Sequence, residues 1–236
     1  AYKKDFVLSG LCVFAESLWK VVMSVSGIAL ILFLTFHACM NVVALFSADA
    51  YNEICEFLGS NWYAVAGTVA LVGLIALHFI YAVILTLQNR KARGNNRYAV
   101  TATPDKVDWN SRNMFVLGVI IVLGLLLHLF NFWYNMMFAE FANGGMAFVE
   151  SYSATDGAGL MSYTFKNPVF TVLYILWFAA IWFHLTHGFW SAMQTLGIDG
   201  KIWFNRWRVI GNVYVTIVML CFVAVAIRFA FCGGAC

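Results

Sequence analysis

The hydrophobic pattern of the chain consists of long apolar runs separated by shorter polar segments. Five runs are long enough to cross a bilayer, which takes roughly 20 apolar residues per helix. They are expected at about 21–46, 62–88, 113–138, 168–196 and 209–231. The sequence therefore predicts an all-α, polytopic membrane protein, in which residues 1–236 form a single membrane domain built as a five-helix bundle.

Signals at the ends of these runs refine the prediction. Pro168 suits the first turn of the fourth span, and Gly197 is a typical helix-terminating residue. Residues 1–19 form an amphipathic lead, which predicts a helix at the membrane surface and no cleavable signal peptide. The connections at 47–61 and 139–167 are predicted to be loops, the second of them rich in glycine.

The composition agrees with a membrane protein. Hydrophobic residues make up 63% of the chain and charged residues 11%, against about 25% charged in soluble domains. The net charge of +3 is small, and no nucleic-acid partner is expected. The six cysteines form no Cys-x-x-Cys or Cys-x-x-Cys-His motif, so most are predicted to fill apolar space. The role of Cys232 and Cys236 is left open.

The basic residues predict the orientation. If the N-terminus is cytoplasmic, 12 of the 14 lysines and arginines fall on the cytoplasmic side, and only Lys166 and Arg228 do not. The positive-inside rule then places the N-terminus in the cytoplasm and the C-terminus outside.

All five histidines lie inside apolar runs, an unusual distribution for this residue. A single histidine there can simply hydrogen-bond between two helices. Four spans that each carry one favour a functional site, because ionisable groups in a membrane are costly. These residues are His37, His78, His128 and His184, with His187 one turn beyond the last.

Depth in the membrane predicts which histidines pair. His37 and His128 each lie roughly 16 residues from a basic end, or about 24 Å into a core of about 30 Å. His78 and His184 lie only about 10 to 13 residues from their basic ends. The expected pairs are therefore an outer one, His37 with His128, and an inner one, His78 with His184 or His187.

Paired imidazoles favour haem over zinc. Zinc would need a third or fourth ligand at the same level, and Cys39 does not share the helix face of His37. Two facing imidazoles suit the axial positions of a b-type haem, and two such haems would conduct electrons across the bilayer.

Several short motifs along the spans together resemble those of a known protein family. The first two spans contain Met23-Ser24-Val25-Ser26-Gly27, Phe36-His37 and His78 followed by Asn89-Arg90-Lys91-Ala92-Arg93. Later spans contain Leu127-His128-Leu129, Phe165-Lys166-Asn167-Pro168 and the segment from His184 through Gly188 to Gly197. In this order, over nearly the whole length, the motifs resemble the di-haem cytochrome b anchor of succinate:quinone oxidoreductases, in its form with one five-helix subunit.

The resemblance implies a succinate dehydrogenase or quinol:fumarate reductase complex. A cytoplasmic flavoprotein subunit with FAD would interconvert succinate and fumarate, and an iron–sulfur subunit would exchange electrons with this chain. The chain would be the quinone-reactive subunit, holding two b-type haems in a prokaryotic cytoplasmic membrane. Menaquinone is the expected quinone. The direction of catalysis and a dimer of the complex stay open.

The resemblance also implies roles for individual residues. The family places the ligand of the fourth span four residues before one glycine and thirteen before the glycine that ends the helix, which selects His184. His187 is then expected to hydrogen-bond a propionate, a quinone or a neighbouring helix. Candidates for propionate contacts or subunit docking are Ser24, Arg90, Lys91 and Arg112.

Two further positions concern protons. In relatives with an outer quinol site, a carboxylate beyond the first span takes up the proton, and Glu56 or Glu53 occupies comparable ground, with Glu56 closer by spacing. A solvated loop acid is the alternative. Trp182 stands where some relatives carry a glutamate proposed for a transmembrane proton route, which weakens the case for that route.

Two other interpretations remain. The cytochrome b subunits of nitrate reductase, hydrogenase or formate dehydrogenase also pair histidines between spans. A haem-free proton-coupled transporter could use buried histidines as a relay. The sequence contains neither the internal repeat nor the broken helices that are typical of transporters.

Overall fold

The computed structural model describes residues 2–59, 61–93, 109–149 and 152–232, with the backbone alone for 2–17 and 92–93. The described part is almost entirely helical, and its only extended pairing is one isolated bridge between Met146 and Ser153. The helices are α1 (Tyr2–Val43), α2 (Ala48–Gly59), α3 (Trp62–Arg93), α4 (Trp109–His128), α5 (Ala139–Ala142), α6 (Gly157–Lys166), α7 (Pro168–Thr195) and α8 (Trp203–Phe231). A π-helix, Leu129–Phe138, joins α4 to α5.

The predicted all-α architecture with five long apolar helices is confirmed. Within the described residues, five segments are long and apolar enough to cross a membrane. They are Leu18–Val43, Trp62–Lys91, Trp109–Ala142, Pro168–Thr195 and Trp203–Phe231. Residues 2–17 continue α1 without a break, so they form no separate helix along the membrane surface.

Both ends of α7 follow from local chemistry. The Asn167 side chain accepts a hydrogen bond from the backbone N–H of Val169, while Pro168 occupies the first turn, where no N–H is needed. At the other end, Gly197 adopts φ +74°, and the N–H groups of Gly197 and Ile198 bond back into the last turn. This arrangement is a Schellman motif, and it ends α7 after Thr195.

Both segments predicted to be loops contain helices. α2 occupies most of 47–61, and α6 occupies the last part of 139–167. Asn52 joins them, since its amide donates to Asp156 (2.8 Å) and its oxygen accepts from the N–H of Ala158 (2.9 Å). A Cβ on Gly157 would lie 2.6 Å from Cys55 Sγ, so glycine permits this close packing. Together, α2 and α6 form a helical cap on one end of the bundle.

The bundle is organised around α7 and α8, which pack along each other, while α7 also packs on α1 and α4. Close approach of α4 and α7 depends on Gly124, where a Cβ would lie 2.1 Å from the Trp177 indole. That indole donates to the carbonyl of Ile121 at 3.0 Å. α3 packs mainly on α1, and its exposed apolar side chains suit contact with lipid.

Candidate functional site: two histidine pairs between helices

The outer pair joins α1 to the end of α4. The ring centroids of His37 and His128 lie 5.8 Å apart, with their planes at 85°. Aromatic side chains surround them: Phe222 packs on His37 at 5.8 Å, and Trp177 packs on His128 at 5.7 Å. The two partly buried imidazoles therefore face each other in an apolar setting.

The inner pair joins α3 to α7. The ring centroids of His78 and His184 lie 6.5 Å apart, with their planes at 65°. Nδ1 of His184 is buried and has no hydrogen-bond partner among the described residues. A buried imidazole nitrogen in this state can still accept a further partner.

Both separations suit two imidazoles on opposite sides of one metal ion. With about 2 Å from metal to nitrogen and about 1.1 Å from nitrogen to ring centre, two axial imidazoles place their centres about 6 Å apart. The observed 5.8 Å and 6.5 Å lie on either side of that value. Each imidazole comes from a different helix, so the pairs depend on the assembled bundle.

Each histidine pair offers two imidazole ligands, which suits a metal ion whose remaining ligands come from a macrocycle. Across the described ranges, no group of three or more His, Cys, Asp or Glu side chains is placed to hold a metal ion. A structural zinc site takes four protein ligands and a catalytic one three. Two imidazoles alone match the axial ligation of a b-type haem.

Ser26 contacts the ring of His78. The Ser26 hydroxyl lies 3.0 Å from both the carbonyl of Met23 and Nδ1 of His78. When its one proton is donated to the carbonyl, its oxygen accepts from Nδ1–H of His78. Nε2 of His78 is then the nitrogen with a free lone pair. A second hydrogen bond of this kind orients metal-binding histidines and raises their basicity. Beside it, a Cβ on Gly27 would lie 3.3 Å from His78 Cε1, so glycine leaves the ring its space.

Sequence reasoning did not select Ser26, although a signal was present. Ser26 lies eleven residues before His37, which is three helical turns, so both residues share one face of α1. The distance from Ser26 to His37 along α1 also gives the spacing of the two histidine pairs. Because Ser26 contacts His78, the inner and outer pairs are separated by about 16 Å along α1.

A polar network surrounds the outer pair where the π-helix follows His128. Asn131 donates to the hydroxyl of buried Tyr174 (3.3 Å), whose ring contacts His128 at 6.2 Å. The amide of Asn135 donates to the carbonyls of Phe130 and Asn131, both at 3.1 Å. Both carbonyls belong to the π-helix itself, and π-helical segments are frequent at functional sites.

The helical cap is tied to the outer pair through α1. Asn41 donates to the carbonyl of His37 (2.8 Å) and accepts from the hydroxyl of Tyr51 on α2 (3.3 Å). Beside Tyr51, burial raises the pKa of the Cys55 thiol to about 11. The thiol is therefore protonated at neutral pH and poorly reactive.

Glu53 and Glu56 are both on the exposed face of α2. Tyr51 and Cys55 are buried on its other face, toward the bundle. The structure thus places the two candidate quinol-site carboxylates on the far side of α2 from the helix that carries His37. Their role stays a prediction.

The other predicted residues lie nearer the inner pair. Ser24 is buried on α1, one turn before Gly27. His187 packs edge-on against Trp190, with centroids 4.8 Å apart, one turn beyond His184. The basic candidates Arg90, Lys91 and Arg112 are exposed at the end of α3 and the start of α4. We call this end of the bundle, together with Lys201 in the connection between α7 and α8 and Arg206 in the first turn of α8, the basic side.

Comparison of the chain with protein-family models, with curated proteins and with solved structures finds no match.

Proposed function

We propose that this chain is a di-haem cytochrome b membrane anchor that exchanges electrons with a quinone, of the succinate:quinone oxidoreductase type. The observation that carries the proposal is the pairing of four histidines from four helices into two facing pairs, at 5.8 Å and 6.5 Å. Each pair would hold one b-type haem, which supplies one-electron transfer when bound.

The residues of the chain have defined tasks in this function. His37 and His128 would hold the outer haem, and His78 and His184 the inner one. Ser26 would keep the proton of His78 on Nδ1, which would leave Nε2 available to hold the metal. The aromatic side chains that pack on the outer pair would shield the bound group from water.

The spacing of the pairs supports electron transfer along the membrane normal. About 16 Å separates the pairs along α1, so the two haem positions would form successive steps between the membrane faces. Electrons would enter or leave at the basic side, where an iron–sulfur subunit and its FAD-carrying flavoprotein partner would dock. A quinone would react with the chain.

The order of motifs from Ser24 to Gly197 supports the succinate:quinone assignment over other cytochrome b subunits. The predicted location in a prokaryotic cytoplasmic membrane, with the N-terminus in the cytoplasm, follows from the same resemblance and from the basic residues. Menaquinone as the substrate is part of the proposal.

The test uses the full chain, purified with the subunits that accompany it. We expect two non-covalent b haems per chain by pyridine haemochrome, both reduced when succinate is added. Two haems that do not respond to succinate would contradict the succinate:quinone part and point to another respiratory complex. Absence of haem would contradict the cytochrome assignment and turn attention to a histidine proton relay.

A further inference from the structure

A cavity of about 460 Å³ lies between the start of α4, the second half of α7 and the first half of α8. It is separate from the histidine pairs, because Trp182, Thr186 and Trp190 line it with one face of α7. His184 follows Trp182 by two residues and points about 200° away around the helix. The cavity therefore belongs to a different surface of the bundle.

Among the residues that the structure describes, the lining of the cavity carries one positive charge and no negative one. Arg208 lines it, and its guanidinium lies over the rings of Trp190 (5.8 Å) and Phe204 (6.0 Å). No carboxylate is among the lining residues in the described part of the chain. The aromatic faces position the guanidinium while leaving its N–H donors for an anion.

Polar groups continue from Arg208 into the membrane. Asn212 follows one turn later and lines the same cavity, although it is exposed within a membrane span. An amide in that position is costly unless it finds a hydrogen-bond partner. Across the cavity, Asn110 donates to Thr186 at 3.1 Å, which joins α4 to α7. The cavity is thus polar inside and bounded by aromatic rings.

The cavity lies at the end of the bundle where two candidate membrane spans begin, at Trp109 and Trp203, on the basic side. Trp109 and Trp203 are 55% and 46% exposed there, as expected for the tryptophans of an interfacial belt. Below Arg208, the exposed Val209 and Val213 of α8 offer an apolar surface along the lipid tails. A phospholipid here would place its phosphate near Arg208 and the polar groups of the cavity, and its acyl chains along Val209 and Val213.

We propose that this cavity binds an anionic phospholipid of the basic-side leaflet, with its phosphate on Arg208 and Asn212. A guanidinium binds phosphate oxygens by charge-assisted hydrogen bonds, and basic pockets between membrane helices suit anionic headgroups. Because no described lining residue is a carboxylate, the cavity favours phosphatidylglycerol over a zwitterionic lipid, whose cation would have no acidic partner among these residues. This site does not depend on haem or quinone.

The test measures lipid binding to the full chain with its co-purifying subunits and cofactors. After delipidation in mild detergent, the protein is titrated with phosphatidylglycerol, phosphatidylcholine or sodium phosphate, and bound lipid is counted by native mass spectrometry. We expect one saturable phosphatidylglycerol. Phosphatidylcholine should bind at least about tenfold more weakly, and phosphate should not displace the lipid at similar concentrations.

Arg208→Gln should weaken phosphatidylglycerol binding by at least about tenfold. Arg206→Gln is the matched control, because Arg206 is an exposed arginine on the same helix that stacks on Trp203 (5.2 Å) outside the cavity. It should change binding by less than about twofold. If Arg208→Gln fails to fold, Asn212→Ala decides instead, with an expected loss of a few-fold.

Equal binding by the wild type and Arg208→Gln would overturn the proposal, as would equal losses in the two arginine variants. Equal affinity for the two lipids would remove the charge argument. Displacement of the lipid by phosphate alone would make the cavity a site for a free anion. Displacement by a short-chain quinone at lower concentration would make it a quinone site.

Discussion

At the scale of single residues, the hydrogen bond between Ser26 and His78 is the most informative contact. Ser26 belongs to α1, whereas His78 belongs to α3 and its partner His184 to α7. The positions of the four histidines could be predicted from the sequence, since each interrupts an apolar run at a countable depth. The sequence could also place Ser26 on the same helix face as His37. It could not show that His78 contacts this face, because that contact depends on the packing of α3 against α1.

We predict that Ser26→Ala weakens retention of the inner haem by about tenfold and leaves the outer haem in place, because the imidazole loses the acceptor for Nδ1–H. The measurement is haem release from the purified protein, followed by difference spectra at each redox midpoint. Ser26→Thr keeps a hydroxyl and should restore retention. Ser24→Ala, two residues away, tests the other serine candidate. A larger effect of Ser24→Ala on the inner haem would show that the wrong serine is assigned.

At the scale of elements, the helical cap was not expected from the sequence. Gly157 and Gly159 lie among mixed polar residues, and this local sequence predicts a loop. In the structure, the small size of Gly157 lets α6 approach Cys55 and Tyr51 of α2, and tertiary packing outweighs the low helix propensity of glycine. The ends of α7 were predictable, since Asn167, Pro168 and Gly197 act through local backbone chemistry.

We predict that Gly157→Ala loosens the cap, because its Cβ would meet Cys55 Sγ at 2.6 Å and Tyr51 at 2.8 Å. The measurement is alkylation of Cys55, located by peptide mapping. In the wild type the thiol should be almost unreactive at pH 7, because a pKa of about 11 leaves it protonated, and labelling should increase as the pH approaches that value. The variant should be labelled at least about tenfold faster at pH 7.

The control is Gly59→Ala, also on α2, where a Cβ would meet open space. It should leave the labelling of Cys55 unchanged. Unchanged labelling in Gly157→Ala would contradict the proposed packing.

At the scale of the whole molecule, the five apolar helices place the two histidine pairs at different depths, one toward the helical cap and the other toward the basic side. The number of spans could be predicted because hydropathy alone decides it. The cavity at Arg208 could not be predicted, since it results from the packing of α4 against α7 and α8, and α4 is distant from both in the sequence. Its residues give no contiguous motif.

The most direct test of the account is the haem content of single histidine variants. We predict that His37→Ala and His128→Ala each lose the same outer haem, and that His78→Ala and His184→Ala each lose the same inner one, so that each variant keeps one haem per chain. His187→Ala, one turn from His184, should keep both. Pyridine haemochrome and reduced-minus-oxidised spectra of the five purified variants give the result. If His187→Ala lost a haem while His184→Ala kept both, or if haem loss did not follow the two pairs, the account would be contradicted.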